Sequence, residues 1–274
     1  MGDDRRPPAP RVEPVPGEPA AVATVGSDRA LLIADYHAGY EAALRYERGV
    51  DVPSRAADRR ERLLGLLERT DADRLVVLGD LMHSIGEPGG AERGELEVLF
   101  ESLPSTLPVT IVKGNHDGAI ESWLTEDDEF GAEPTPPIDV VPGAGVALDG
   151  VGVCHGHTWP APDVLSCGVL CLGHEHPCVR LEDEVGGSRV ERTWLRGRAD
   201  PGPFRPRPEY EDVPWFGDGT PPRLVVVPAF NDLVGGTWVN VPNQSFLSPF
   251  LPAGLTDGEA YLLDGTRLGP YEQV

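Results

Sequence analysis

All seven histidines of this 274-residue chain stand in five short clusters with Asp35, Asp80, Asn115 and Asp117. The clusters are Asp35-Tyr36-His37, Gly79-Asp80-Leu81-Met82-His83, Gly114-Asn115-His116-Asp117, His155-Gly156-His157 and Gly173-His174-Glu175-His176. No histidine is left over for ordinary packing or surface duty. A carboxylate can bridge two cations, imidazole suits zinc, iron, nickel and manganese-type ions, and an amide oxygen completes a shell without adding charge. The five clusters are therefore the ligand set of a two-metal site, and Asp35, His37, Asp80, Asn115, His155, His174 and His176 form an ordered series of metal-binding type within them. The main steps between them are 45, 35, 40 and 19 residues, so only a folded chain can assemble it. Two cations held ~3.5–4 Å apart lower the pKa of a bound water and clamp the attacking and departing oxygens of a phosphoryl transfer. Asp80 is the expected bridging group.

The elements that must position these residues are legible as apolar runs. Residues 20–25 and 30–34 read as two strands joined by a Gly26-Ser27-Asp28 turn, and the second stops at Asp35. Residues 74–78 form a continuous apolar strand running into Gly79-Asp80, and residues 108–112 another that stops at Lys113-Gly114-Asn115. Helices are expected over 38–48, over 54–69 with Ser54 as N-cap, and over 92–102. Three strands thus end at clusters, the place where open α/β sheets bind ligands. From residue 138 onward short strand candidates at 140–141, 146–148, 151–154, 169–172, 179–181 and 192–195 alternate with Gly and Pro turns, a mostly antiparallel texture. Strands follow at 223–227 and 258–263. The two halves read as one α/β sandwich of two sheets with helices outside and the clusters at a shared edge.

Composition narrows the class. The length allows one large domain, and there is no internal repeat; the expectation is a single domain over residues 20–274 after a frayed arm at 1–19. That arm is Pro-rich and charged, without the apolar core of a secretory signal, and no apolar run reaches the ~18 residues needed to cross a bilayer, so a cytoplasmic location is expected. Residues 197–222 form a Pro- and Gly-rich loop insertion, a length usually found in functional or mobile loops. Cys154, Cys167, Cys171 and Cys178 lack a Cys-x-x-Cys pair and read as small, reduced, half-buried residues. A formal charge of −22, from 45 acidic and 23 basic residues with Lys113 the sole lysine, repels polyanions at low salt. The spread of that charge along the chain suggests a halophilic, salt-rich setting; the competing reading is an acidic protein acting on small substrates.

On these residues the chain resembles the calcineurin-like metallophosphoesterase superfamily, whose pattern D-x-H, G-D, G-N-H-[DE], H and G-H-x-H is matched in order from Leu31 to His176. Further stretches, Arg45-Tyr46-Glu47-Arg48-Gly49, Gly173-His174-Glu175-His176-Pro177 and Pro228-Ala229-Phe230, look like one branch of it. That branch holds archaeal phosphoesterases related to the nuclease subunit of a DNA-repair complex and bacterial phosphoesterases associated with DNA ligases. The resemblance implies a four-layer α-β-β-α sandwich of two mixed sheets. It implies that Asp35, His37 and His176 take one metal and Asn115, His155 and His174 the other, with Asp80 shared. His116 would stabilise the transition state or protonate the leaving oxygen, with Asp117 orienting it. The same pattern favours His155 over His157 as ligand, leaving His157 as a supporting or phosphate-side group. His83 either supports a ligand or packs under its loop. Lys113 is a phosphate contact or a solvated strand end, and Arg45, Arg48 and Arg180 are substrate contacts or paired surface residues. Pro228-Ala229-Phe230-Asn231 is either pocket wall or a strand end with a turn.

The resulting expectation is a dinuclear-metal phosphoesterase that hydrolyses phosphate esters, phosphodiesters foremost, through a metal-bridging hydroxide. A shell of His, Asp and Asn without thiolate fits Mn2+ best, with iron, Zn2+ and Ni2+ as alternatives. A DNA-repair-type nuclease is the second reading, nucleic acid being a partner the acidic surface opposes at low salt. A non-catalytic, metal-stabilised partner-binding protein is the reading from another class; the complete ligand set plus His116 argues against it.

Overall fold

The computed structural model describes residues 12–126, 136–183 and 185–274. The first sheet holds β1 (Val12–Pro14), β2 (Ala20–Val25), β3 (Asp28–Ile33), β4 (Arg74–Val77), β5 (Val109–Val112) and β6 (Ile138–Val141), in that spatial order. β1, β2 and β3 are antiparallel, while β3 through β6 run parallel. The links between the parallel strands carry α1 (Tyr40–Arg48), α2 (Ala56–Thr70), α3 (Gly90–Ser102) and α4 (Ile120–Glu126). Leu63, Leu66 and Leu67 of α2 and Leu96, Leu99 and Phe100 of α3 pack on Leu31, Ile33, Leu75, Val77, Val109 and Ile111. The opposite face of the same strands, with Leu32, Val76 and Val112, meets the second sheet. Burial on both faces is why these strands read as unbroken apolar runs rather than alternating ones.

The second sheet comprises β7 (Val146–Leu148), β8 (Val151–Cys154), β9 (Val169–Leu172), β10 (Cys178–Glu182), β11 (Ser188–Ala199), β12 (Arg223–Val226), β13 (Leu255–Leu262) and β14 (Arg267–Pro270). Its order is β14-β13-β11-β12-β9-β8-β7, with β10 paired to β11. β8, β9 and β12 are parallel neighbours, and the remaining pairs are antiparallel. Its outer face is covered by the four-residue α5 (Pro162–Leu165) and by Phe204, Tyr210, Trp215 and Phe250. The chain is thus two mixed sheets packed face to face and flanked by α-helices on the first and by aromatic turns with α5 on the second.

Several expectations change. Val12 is buried and pairs with Ala23, so part of the stretch assigned to a frayed arm is an edge strand; residues 1–11 lie outside the described residues. Residues 140–141 belong to β6 in the first sheet, not to the antiparallel half, because a fourth parallel strand extends the β3-β4-β5 series. Residues 197–199 complete β11, and the rest of the loop insertion plugs the core: Tyr210 donates to the Pro160 carbonyl and Trp215 to that of Leu165. Helix α2 begins after Arg55 without a side-chain cap, so Ser54 is not its N-cap. α4, α5 and β14 were not anticipated; each is short, and period alone does not mark such pieces. All four cysteines are buried and unbridged, Cys154 and Cys171 completely so. Among the described residues no helix is long and apolar enough to cross a membrane.

Candidate metal centre

Six strands end on one edge of the sandwich, and each delivers a polar group there. β3 leads to Asp35 and His37, β4 to Asp80, β5 to Asn115 and His116, β8 to His155, β9 to His174 and His176, and β12 to Asn231. The loops are knitted together by their backbones: Asp35 N–H donates to Gly79 O (3.0 Å), His37 N–H to Asp80 O (2.9 Å) and Gly173 N–H to His155 O (2.9 Å). Asp35, His37, Asp80, His174 and His176 all hold positive φ, between 43° and 68°. Each such residue costs on the order of 1–3 kcal/mol, strain that clusters at functional sites because only a surrounding scaffold sustains it. Two glycines admit the approach: a Cβ on Gly79 (φ 85°) would fall 2.3 Å from the His155 ring, and one on Gly114 would fall 2.0 Å from an Asp80 oxygen.

Two sets of ligand-type groups result. Asp35, His37 and His176 form one, with His176 Nε2 3.2 Å from Asp35 Oδ1. Asp80, His155 and His174 form the other; His155 Nε2 lies 3.4 Å from Asp80 Oδ2 and 3.2 Å from Asn115 Oδ1. Asp80 Oδ2 also stands 3.7 Å from His37 Nε2, so this carboxylate faces both sets. The far nitrogens are anchored on backbone carbonyls, His155 Nδ1 on Leu78 O and His176 Nδ1 on Gly235 O, both at 2.7 Å. That aims each Nε2 inward, and Nε2 of His37 and of His176 is buried without a hydrogen-bond partner. Orphaned buried acceptors beside carboxylates are what a pair of cations would satisfy, so the residues fit the group.

The electrostatics agree. Burial alone would raise the Asp80 carboxyl, but the hydrogen bond and charge of His155, with His37, hold it well below the usual range. Burial would likewise raise Asp35, and His176 outweighs it. Burial drives His37 down to about 3 and His174 to about 4, keeping both imidazoles neutral and free to ligate. His155 is the counterpart: burial lowers it, yet Asp80 and Asp35 lift it to about 9, a proton that a metal would displace.

His116 stands beside this centre, half-buried, its backbone N–H on Asp80 Oδ1. Its Nδ1–H donates to the His83 carbonyl oxygen, which leaves Nε2 as the free nitrogen. Asp117 does not orient the ring: its buried carboxylate accepts the backbone N–H groups of Gly114 and Met82 and holds the two loops together. Burial pushes that carboxyl up to about 6. His83 approaches His37 through Nδ1 (3.3 Å) and stacks on His116. His157 sits outside His155, with Nδ1 buried and unpartnered. Lys113 pairs with Glu121 (2.7 Å), Arg45 with Asp51 and Arg180 with Glu182, while Arg48 is exposed on α1.

Two supporting residues, Glu175 and Glu92, escaped the motif reading, and Asn231, expected only as pocket wall or the end of a strand, is a third. Buried Asn231 lies behind the Asp35-Tyr36-His37 loop, its Nδ2 near the carbonyls of Tyr36 and His37 and its N–H on Asp35 O. Buried Glu175, between two ligand-type histidines, accepts from Leu247 N, Ser248 N and Thr237 Oγ1. Glu92 accepts the N–H groups of His83 and Ser84. The only signal for Asn231 and Glu175 was a polar residue inside an otherwise apolar or metal-type motif.

The family profile described as calcineurin-like phosphoesterase matches residues 29–175, just over half of the chain. In the solved structures the fold is similar to a Pseudomonas putida nuclease, MPE, at 19% identity and a TM-score of 0.52, covering 94% of this chain and 100% of that one. It also matches YfcE, a phosphoesterase from E. coli, at 20% identity and a TM-score of 0.30, over 56% of this chain and 73% of that one. No curated protein matches the chain. With the strand-end clusters, the two ligand sets and the profile in agreement, the chain belongs to the calcineurin-like phosphoesterase family and is a metal-dependent hydrolase acting on phosphate esters.

Proposed function

We propose that the protein is a dinuclear-metal phosphodiesterase in which Asp35, His37 and His176 hold one ion and Asn115, His155 and His174 the other, with Asp80 shared. The carrying observation is the pair of orphaned, buried Nε2 atoms on His37 and His176 beside Asp35 and Asp80. Bound there, two divalent ions would acidify a water and neutralise the phosphate of the substrate. The chain's own groups do the rest. Asp80 faces both sets, so its charge couples them. The backbone carbonyl of His83 takes the Nδ1–H of His116 and so turns Nε2 toward the centre; with a proton on Nε2 as well, the imidazolium can deliver it to the leaving oxygen, and Asp117 keeps the loop carrying His116 against the Asp80 loop. A shell of carboxylate, amide and imidazole favours Mn2+.

A nuclease is the second reading, favoured by fold likeness to the Pseudomonas putida nuclease along that protein's whole length. Hydrolysis of p-nitrophenyl phosphate, bis-p-nitrophenyl phosphate and single-stranded DNA, compared in high KCl with Mn2+ and with EDTA, tests both. Metal-dependent cleavage of the bis ester is expected. Cleavage of the monoester alone would overturn the phosphodiesterase reading, and DNA cleavage would select the nuclease.

A further inference from the structure

Beside the two ligand sets, a third group of imidazoles shares His37 with the first of them. One nitrogen from each of His37, His83 and His116 lies within 4.8 Å of the others. The ring centroids make a nearly equilateral triangle: 5.3 Å from His37 to His83, 5.2 Å from His37 to His116, and 5.3 Å from His83 to His116. His37 Nδ1 and His83 Nδ1 are 3.3 Å apart. That is long for a hydrogen bond, but it is the spacing of two ligand atoms on a tetrahedral ion with bonds of ~2.0–2.1 Å, whose edges are ~3.3–3.4 Å. His83 and His116 are only half-buried, so solvent reaches the group. It contains no carboxylate, whereas each inner set has one.

We propose that His37, His83 and His116 form a third, weaker cation site selective for Zn2+ over Mn2+, and that its occupation blocks turnover. Two neutral imidazoles and one imidazolate, with no carboxylate, are a donor set that zinc accepts and that oxygen-preferring Mn2+ does not. The site is the weaker one because His37 already turns Nε2 toward Asp80 and must release its Nδ1 proton to solvent to bind a second ion. His116 would bind through Nε2, since its Nδ1–H is committed to the His83 carbonyl. The same nitrogen serves the leaving oxygen in the phosphoesterase reading, on which the inhibitory consequence rests; the site itself does not rest on it.

Equilibrium dialysis against Zn2+ in molar KCl, which suppresses loose binding to the acidic surface, counts bound zinc per chain for the wild type, His83→Ala and Asp80→Asn. His83→Ala keeps the backbone bonds of residue 83 to Glu92 and His116, so the loop retains its anchors. The expected result is one zinc fewer in His83→Ala than in the wild type, the weakest one lost. Equal counts in the two would overturn the site. Asp80→Asn reports separately on the inner pair: if it leaves the tight zinc unchanged, the dinuclear reading fails and the outer site stands. In the Mn2+-loaded wild type, excess Zn2+ should inhibit, and His83→Ala should raise the inhibitory concentration on the order of tenfold or more, having lost one of three ligands. Unchanged zinc sensitivity would overturn the inhibitory role.

Discussion

At the scale of single residues, the centre is made by side chains whose far ends are fixed before any ion arrives. His155 and His176 each spend Nδ1 on a carbonyl, and His116 does the same on His83. His116 is the group whose loss separates chemistry from metal binding. His116→Ala should lower turnover of the bis-p-nitrophenyl ester by ~10²–10⁴-fold, while metal analysis of the dialysed protein finds the inner ions retained. Unchanged turnover with metal retained would remove His116 from the reaction. Gly114 acts by having no side chain. Gly114→Ala puts a Cβ onto the Asp80 carboxylate, and the expected outcome is loss of metal from the folded protein, seen as lower occupancy with an unchanged far-ultraviolet spectrum.

At the scale of elements, one buried ionic joint ties the helices behind the centre. Arg59 of α2 makes a bidentate pair with Glu41 of α1 and bonds Glu95 of α3, and Glu95 also accepts the N–H of Gly39, two residues after His37. Arg59 and Glu41 are 4% exposed, so removing the guanidinium leaves two carboxylates uncompensated. Arg59→Leu should cost ~3–5 kcal/mol, measured by urea denaturation. The two carboxyls respond differently. Burial raises both, but at Glu41 the hydrogen bonds and charge of Arg59 win and its carboxyl is lowered, while at Glu95 burial prevails and it is raised. A carboxyl lowered in the folded state adds stability above its unfolded value, near 4.5, and loses it as pH falls through the folded value. The stability gap between wild type and Glu41→Gln should therefore be full at neutral pH and shrink below about pH 4.5. A gap that widened in acid would reverse the sign assigned to Glu41.

At the scale of the whole molecule, the net charge of −22 sets the conditions under which all this operates. Ion pairs such as Arg93 with Glu97 and Arg267 with Glu259 consume acidic groups, but 45 acidic residues face only 23 basic ones. The excess is self-repulsion that salt screens, with a Debye length of ~3 Å at molar ionic strength. Relief of ~1–2 kcal/mol would raise the melting temperature by roughly 2–8 °C between low salt and molar KCl. A flat or falling melting temperature would exclude a salt-adapted surface. The same screening decides whether a polyanionic substrate can approach, so diester and DNA cleavage should both be measured at high salt.

What could be read from the residues alone was whatever depends on local order. The apolar runs before Asp35, Asp80 and Asn115 became β3, β4 and β5 because a strand buried on both faces needs no partner to be recognised as apolar. The clusters at their ends, and the histidines left with no other duty, were equally local. The roles of Asn231, Glu175, Glu92 and the Asp117 carboxylate were not legible. Asn231 meets Tyr36 across 195 positions, Glu175 meets Ser248 across 73, and Asp117 turned to backbone N–H groups of the Asp80 loop instead of the adjacent histidine. A buried polar group takes whichever donor the closed fold puts in reach, and that choice exists only once the two sheets and their helices have excluded water from the strand ends.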